Sequence, residues 1–104
     1  MRRSGLATDT RTLLLFFSSA RSGPSRRMES LLAHIARKER HRLRVVQIDV
    51  DGRGDVAERF GVTSAPTLVL VRSKGVVARI EGRASAPRIE QMLADHLDEA
   101  AAAA

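Results

Sequence analysis

The pattern of hydrophobic and polar positions predicts a mixed α/β fold. Residues 13–17 and 67–71 are apolar almost throughout, as in central strands covered on both faces. After Pro24, apolar residues recur at i, i+3, i+4 and i+7, which predicts a helix that ends near Arg40. Residues 43–50 are rich in β-branched side chains and predict a second strand. The first half of the chain is therefore expected to fold as strand, helix, strand.

The second half of the chain is expected to add a short helix, a hairpin and a closing helix. Asp55 and Glu58 have the spacing of a capping box for the short helix. Residues 76–81 alternate like a half-exposed strand that pairs antiparallel with the strand before it. Its predicted inward positions are Val76, Ala78 and Ile80. Ser85 can cap the last helix, so the order βαβαββα predicts a reduced four-stranded mixed sheet flanked by helices, a three-layer α/β sandwich.

The chain divides into one folded unit and two short ends. Residues 12–98 hold the predicted elements and are expected to form a single small domain. Residues 1–11 contain three arginines and no apolar period, which predicts a flexible basic arm, and residues 99–104 form an alanine-rich tail. The longest apolar run has five residues, far below the roughly 20 that span a bilayer. We therefore expect a cytoplasmic protein without membrane contact.

The net charge of +6 permits binding to nucleic acid or to an acidic surface. Sixteen of the 18 basic residues are arginine, which also fits a GC-rich coding bias. The basic run at residues 37–44 lies at the predicted end of the first helix, where cations complement the helix dipole. No aromatic residue lies in this run to stack on bases, so nucleic-acid binding is not favoured.

The absence of cysteine excludes three kinds of chemistry. A chain without thiols cannot form a disulfide framework, a thiolate zinc site or a thiol-based redox centre of its own. His34, His41 and His96 do not have the spacing of metal ligands. We therefore expect no metal site and no cofactor.

Three short motifs stand at the ends of predicted strands. They are Arg21-Ser22-Gly23-Pro24-Ser25 after the first strand, Val50-Asp51 at the end of the second, and Ser64-Ala65-Pro66-Thr67 before the third. Together with the element order, they resemble the thioredoxin family. That family has a Trp-Cys-Gly-Pro-Cys turn at a helix N-terminus, an Asp that ends the second strand, and a cis-proline before the third. The resemblance implies a thioredoxin-like fold for residues 12–98, with a cis bond before Pro66.

The departures from the family pattern bear on function. In the family, a cysteine at the position of Ser22 attacks a disulfide, and a cysteine at the position of Ser25 resolves the mixed disulfide. A hydroxyl stays protonated near neutral pH and cannot carry out this exchange. The family's tryptophan, buried aspartate and accompanying lysine fall on Arg21, Phe16 and Gln47. These linked changes favour a natural, redox-inactive domain without catalytic residues over an engineered knockout.

The binding surface of the family can persist without its chemistry. In thioredoxins, substrate peptides lie extended beside the cis-proline and pair with the backbone of the preceding residue, here Ala65. The resemblance implies a peptide-binding site at Arg21, Ser22, Ala65 and Pro66, so we predict a binding or scaffolding module for a protein or peptide partner. Two alternatives stay open. The cis bond can have a purely structural role, or the chain can be an oxidoreductase relic with a redox role through a partner's cysteine or glutathione.

The turn at residues 22–27 is also a candidate anion site. Free backbone N–H groups and the positive end of a helix dipole coincide there with Arg21, Arg26 and Arg27. A carboxylate, a phosphate or an acidic peptide would suit this arrangement, so weak anion or nucleic-acid binding is a third functional hypothesis. The alternative is that Ser22 or Ser25 only caps the helix while the arginines are solvated.

The strand at residues 43–50 is predicted to lie at an open edge of the sheet. Family members have a further strand and helix before the first core strand, and eleven residues are too few for both. An open edge invites pairing, so a homodimer through this strand is one expectation. Coverage of the edge by the arm at residues 1–11 is the other.

Overall fold

The computed structural model describes the backbone of residues 11–103 and the side chains of residues 11–97. The described strands are β1 (Thr12–Ser18), β2 (Leu43–Asp49), β3 (Thr67–Arg72) and β4 (Gly75–Glu81). The described helices are α1 (Gly23–Lys38), α2 (Gly54–Arg59) and α3 (Ala86–Ala103). The predicted order βαβαββα is confirmed. Most of the predicted arm and the side chains of the predicted tail lie outside the described residues.

The four strands form one mixed sheet with the order β2-β1-β3-β4. β1 runs parallel to β2, with Thr12 opposite Leu43. β3 runs antiparallel to both β1 and β4, and Thr67 lies opposite Phe17 on one side and Glu81 on the other. The end of β1, the start of β3 and the end of β4 therefore meet at one end of the sheet.

Hydrophobic side chains pack on both faces of the sheet, which gives the predicted three layers. α1 and α3 cover one face, where Leu14, Leu68 and Leu70 of the sheet are fully buried. The predicted face of α3 is buried against this layer and consists of Ile89, Met92, Leu93 and Leu97. α2 covers the other face, where the rings of Phe17 and Phe60 lie 5.9 Å apart between centroids. Successive side chains of β1 and β3 point to opposite faces of the sheet, so each strand contributes to two separate cores.

The short helix does not begin as its sequence predicts. The capping box at Asp55 and Glu58 is absent, because α2 starts at Gly54 with Arg53 in the cap position and without a side-chain cap bond. The backbone N–H of Arg53 donates to the carbonyl of Asp49 at 2.7 Å. This turn after β2 leads directly into the helix and places Asp55 inside its first turn, with Oδ1 of Asp55 3.7 Å from Nε of Arg53.

An arginine of β4 holds the other end of the short helix. Arg79 donates from Nη1 to the carbonyl of Phe60 at 3.0 Å and from Nη2 to that of Gly61 at 3.2 Å. Gly61 has a φ of 67°, a left-handed conformation that glycine adopts without steric cost. The loop from residue 61 to the start of β3 is therefore fixed to the sheet at its first residue.

The alternation predicted for β4 is wrong at its first position. Ala78 and Ile80 pack on the face covered by α1 and α3, but the side chain of Val76 is 51% exposed. A register shift between Leu70 and Val71 pairs Val76 with Val71, whose side chain faces the opposite layer. Such a bulge carries one extra residue in one strand and turns the following side chains to the other face.

Among the described strands, β2 has a neighbour on one side only, as predicted for residues 43–50. Pairing of this edge with a second copy of the chain, or its coverage by residues 1–10, stays a prediction. Within the described part of the chain, no helix has the length and apolar character needed to cross a membrane.

Candidate functional site

Three chain segments meet at the end of the sheet where β1 stops. The turn after β1 leads into α1, the connection after β2 leads to α2, and the loop at residues 61–66 leads into β3. The N–H of Val50 donates to the carbonyl of Ser18 at 2.9 Å, and the N–H of Gly82 donates to the carbonyl of Pro66 at 2.9 Å. The structure thus brings the motif at residues 21–25 and the Ala65-Pro66 motif to the same end of the domain.

Hydrogen bonds to Ser19 close the turn after β1. The N–H of Ser22 donates to its carbonyl at 3.0 Å, and the N–H of Arg21 donates to its hydroxyl at 3.2 Å. The hydroxyl of Ser19 itself donates to Oδ2 of Asp51 at 2.8 Å. The carboxylate that follows β2 therefore holds the turn that follows β1.

Ser22 is the N-cap of α1. Its backbone is extended, with φ −99° and ψ 114°, and its Oγ accepts a hydrogen bond from the N–H of Ser25 at 3.1 Å. Pro24 lies in the first turn of the helix, where its missing N–H has no energetic cost. One of the two serine hydroxyls thus satisfies a helix N–H group that would otherwise lack a partner.

Ser25 has a different role from Ser22, because its side chain is fully buried. Its Oγ accepts a hydrogen bond from the N–H of Ser19 at 3.3 Å. Among the described residues, no histidine, aspartate or glutamate side chain forms a hydrogen bond to either Ser22 or Ser25. A serine without a general base is not an activated nucleophile, so the two hydroxyls support the geometry of the turn.

Removal of the cap at Ser22 is expected to lower the free energy of unfolding. In Ser22→Ala, the N–H of Ser25 loses its partner, so we expect a loss of about 1 kcal/mol, whereas Ser22→Asp should stay within about 0.5 kcal/mol of the wild type. Urea unfolding followed by circular dichroism measures both. An alanine variant as stable as the aspartate variant would contradict the capping role.

The loop before β3 contains a cis peptide bond between Ala65 and Pro66. Pro66 is buried and Ala65 is half-buried. The hydroxyl of Thr67 donates to the carbonyl of Ser64 at 2.9 Å and closes the loop around the proline. None of the hydrogen bonds among the described residues uses the backbone N–H or C=O of Ala65. The loop therefore offers one unused main-chain donor and one unused acceptor beside the turn.

The structure brings two of the three predicted anion-binding arginines together. Arg26 and Arg27 line a shallow concavity of about 400 Å³ with Gly23 and Glu29, while Arg21 is exposed but does not line it. A Cβ on Gly23 would lie 3.3 Å from Nη1 of Arg27, so the absence of a side chain lets the guanidinium lie over the turn. The carboxylate of Glu29 in the same concavity weakens its attraction for an anion.

Comparison with known proteins decides the family. The family model for thioredoxin matches residues 3–95. The chain belongs to the thioredoxin family. Thioredoxin-1 of Drosophila melanogaster is 36% identical over 76 residues, which is 73% of this chain and 71% of that protein. The thioredoxin of Alicyclobacillus acidocaldarius is 31% identical over 85 residues, or 82% of this chain and 81% of that protein.

Solved structures agree with the sequence relatives. The crystal structure of the germline-specific thioredoxin Deadhead from Drosophila melanogaster matches with a TM-score of 0.81 at 32% identity and covers 91% of this chain and 90% of that one. Thioredoxin NaTrxh from Nicotiana alata matches with a TM-score of 0.79 at 28% identity, and the match covers 92% of this chain and 86% of that one. The predicted thioredoxin-like fold is confirmed.

Behind the turn, this thioredoxin-family chain has an apolar ring where the resemblance implies an aspartate. Phe16 is 1% exposed and belongs to the core with Met28 and Leu32 of α1. At the position of the accompanying lysine, Gln47 donates from Nε2 to Oγ of Ser18 at 2.9 Å and to Oε2 of Glu29 at 3.0 Å. Among the described residues, no buried side chain of this core is acidic.

Two features of the site were missed in the sequence. One is the Ser19–Asp51 hydrogen bond, and the other is the Gln47 amide shared between Ser18 and Glu29. The first could have been inferred from the sequence, since each residue lies within two positions of the end of one of two parallel neighbouring strands, and both therefore lie at the same end of the sheet. Among residues 11–97, no three His, Cys, Asp or Glu side chains are grouped closely enough to hold a metal ion.

Proposed function

We propose that this chain is a redox-inactive thioredoxin-family domain that binds an extended segment of a partner protein at the turn and the Ala65-Pro66 loop. The observation that carries the proposal is that no described residue bonds the backbone N–H or C=O of Ala65, which lies at the same end of the sheet as a turn without thiols. A main-chain donor and acceptor side by side can pair with a peptide as a further strand does.

The redox-inactive part of the proposal rests on chemistry. The chain has no cysteine, and the two serines at the family's cysteine positions are engaged in hydrogen bonds within the turn. Disulfide exchange requires a thiolate, which a serine cannot supply. In a disulfide-reduction assay the purified chain is therefore expected to match the uncatalysed rate, with or without glutathione. Turnover that depends on glutathione would point instead to a partner-assisted redox role.

The proposed binding surface at the turn and Ala65 favours a particular kind of peptide. Two main-chain hydrogen bonds contribute only about 1 kcal/mol each, so side-chain contacts must supply most of the affinity. The exposed arginines of the turn, Arg21, Arg26 and Arg27, give this surface a positive charge. We therefore expect segments with an acidic residue beside the part that pairs with Ala65.

Affinity capture with quantitative mass spectrometry tests the binding surface. The variant Arg26→Glu/Arg27→Glu should lose most of the partner captured by the wild type, because charge reversal repels an acidic segment. The matched control Arg37→Glu/Arg40→Glu changes the net charge equally on exposed residues at the C-terminal end of α1, away from the turn, and should retain the partner. Titration of the purified partner into each variant should then reproduce the difference in binding between the two variants. Equal capture by both variants, or equal loss, would rule out the turn as the binding surface.

A further inference from the structure

The strand β4 lies at an edge of the described sheet and has β3 as its neighbour on one side only. None of the described residues outside β3 forms a hydrogen bond with the backbone of β4. The exposed large hydrophobic side chains of the described chain are Val76 at 51% and Val77 at 36%, and both belong to this strand. Exposed valines beside main-chain groups without partners are typical of an edge that can pair with a further strand.

The register of the hairpin shows which main-chain groups of β4 point to this open edge. The N–H of Gly82 donates to the carbonyl of Pro66, so these two residues form a hydrogen-bonded pair. Hydrogen-bonded pairs recur at every second residue of an antiparallel ladder, so the N–H and C=O of Ile80 also face β3. The main-chain groups of Arg79 and Glu81 therefore point away from β3 to the open edge.

The same two residues carry opposite charges on one face of the sheet. Nη2 of Arg79 lies 3.2 Å from Oε2 of Glu81, whose side chain is 65% exposed. Edge strands are often protected by charged side chains, which oppose the approach of a second copy. An edge that carries one charge of each sign, two residues apart, is instead complementary to itself when two copies run antiparallel, because each cation then lies opposite an anion.

We propose that two copies of this chain pair β4 with β4, antiparallel around a two-fold axis at Ile80, so that one continuous sheet crosses the dimer. In this register, Arg79 of each copy lies opposite Glu81 of the other. The N–H and C=O groups of these residues bond across the axis as hydrogen-bonded pairs. Val77 borders the paired stretch and is partly covered by the second copy. Both copies use the same patch, as a two-fold contact requires.

Other registers of this pairing are less favourable. An axis at Arg79 would place two guanidinium groups directly opposite each other, and an axis at Glu81 would do the same for two carboxylates; like charges in this position destabilise a strand pair. A bulge at the start of β4 and the positive φ of Gly82 after its end keep the paired stretch short. We therefore expect a weak dimer that forms at high protein concentration. It uses no group of the turn or of Ala65, so the inference does not depend on peptide binding.

Charge exchange across the axis tests the pairing. Sedimentation equilibrium of the full chain, at concentrations up to about 1 mM, gives the dissociation constant of the dimer. Glu81→Arg places an arginine opposite Arg79 of the second copy, so we expect the dimer to be roughly tenfold weaker or more. Arg79→Glu should weaken it similarly, because glutamates then lie opposite each other. An equimolar mixture of the two variants restores opposite charges at both positions and should associate about as tightly as the wild type.

Glu29→Arg is the matched control. It makes the same charge change as Glu81→Arg on an exposed residue of α1, which contacts Gln47 of β2 at the other edge of the sheet. The control should dimerise within about twofold of the wild type, because the spacing of about 5 Å between strands places it beyond the Debye length of about 10 Å.

Circular dichroism checks that each variant folds. Arg79→Glu also removes the hydrogen bonds to the carbonyls of Phe60 and Gly61. If this variant does not fold, the comparison of Glu81→Arg with the control at Glu29 decides. The proposal is overturned if the wild type stays monomeric at the highest concentration, if Glu81→Arg dimerises as tightly as the control, or if the mixture of folded variants associates no more tightly than each variant alone.

Discussion

The double variant Ser22→Cys/Ser25→Cys is expected to reduce disulfides roughly tenfold or more above the wild-type background. The reason is that the turn keeps its geometry: residue 22 caps α1 and is half-exposed, and residue 25 lies three positions further along the helix, within hydrogen-bond reach of the cap. A thiol at the N-terminus of a helix has a lowered pKa and is a stronger nucleophile near neutral pH. Insulin reduction in the presence of a dithiol measures the rate.

Single variants separate the two steps of this exchange. Ser22→Cys should form a mixed disulfide with an aromatic disulfide reagent but should not turn over, because no second thiol resolves it. Ser25→Cys should react slowly, because that side chain is fully buried. If the folded double variant has two titratable thiols and still stays at the wild-type background, the turn does not have the geometry that we assign to it.

The second large effect is expected from Phe16→Asp, which restores the acid that the family resemblance implies. The variant should lose at least about 4 kcal/mol of unfolding free energy, because it removes a buried ring and places a carboxylate in an apolar core. Phe16 is 1% exposed, and the neighbouring Gln47 donates its amide to Ser18 and Glu29. No cation lies among these partners to stabilise the new charge. Urea unfolding measures the loss.

Phe16→Leu is the matched control for this variant. It keeps an apolar side chain of smaller volume and should lower the free energy of unfolding by about 1 to 2 kcal/mol. An aspartate variant as stable as the leucine variant would mean that this core accepts a buried acid. The phenylalanine at position 16, where the family resemblance implies an aspartate, would then have no bearing on the loss of disulfide exchange.

The fold could be predicted from the sequence because its hydrophobic pattern and turn residues agree. The apolar run at residues 13–17 is covered on both faces, and the helical repeat after Pro24 buries Met28, Leu32 and Ile35 as its spacing requires. The errors occur where a contact distant in sequence changes local structure. The carbonyl of Asp49 accepts a hydrogen bond from Arg53, and this turn begins α2 before Asp55 is reached. In β4, the bulge opposite Val71 turns the side chain of Val76 outward.

The candidate site could be predicted in position but not in its hydrogen bonding. The resemblance placed Ser22, Ser25 and Ala65 at one end of the domain, and the pairing of Phe17 with Thr67 puts them there. Which serine caps the helix depends on backbone dihedral angles that the sequence leaves open. The burial of Ser25 depends on the packing of α1 against the sheet, so a pattern of single residues cannot reveal it.

Site-specific photo-crosslinking reports which surface of the domain touches the partner, and so tests directly whether the partner binds at the turn and Ala65. A benzophenone amino acid replaces Arg21 or Ser64 beside Ala65, or Lys74 at the far end of the sheet as a control, and all three positions are exposed. We expect the first two positions to crosslink the same partner segment and the control position not to crosslink it. Crosslinking of that partner from Lys74, with none from Arg21 or Ser64, would contradict this expectation.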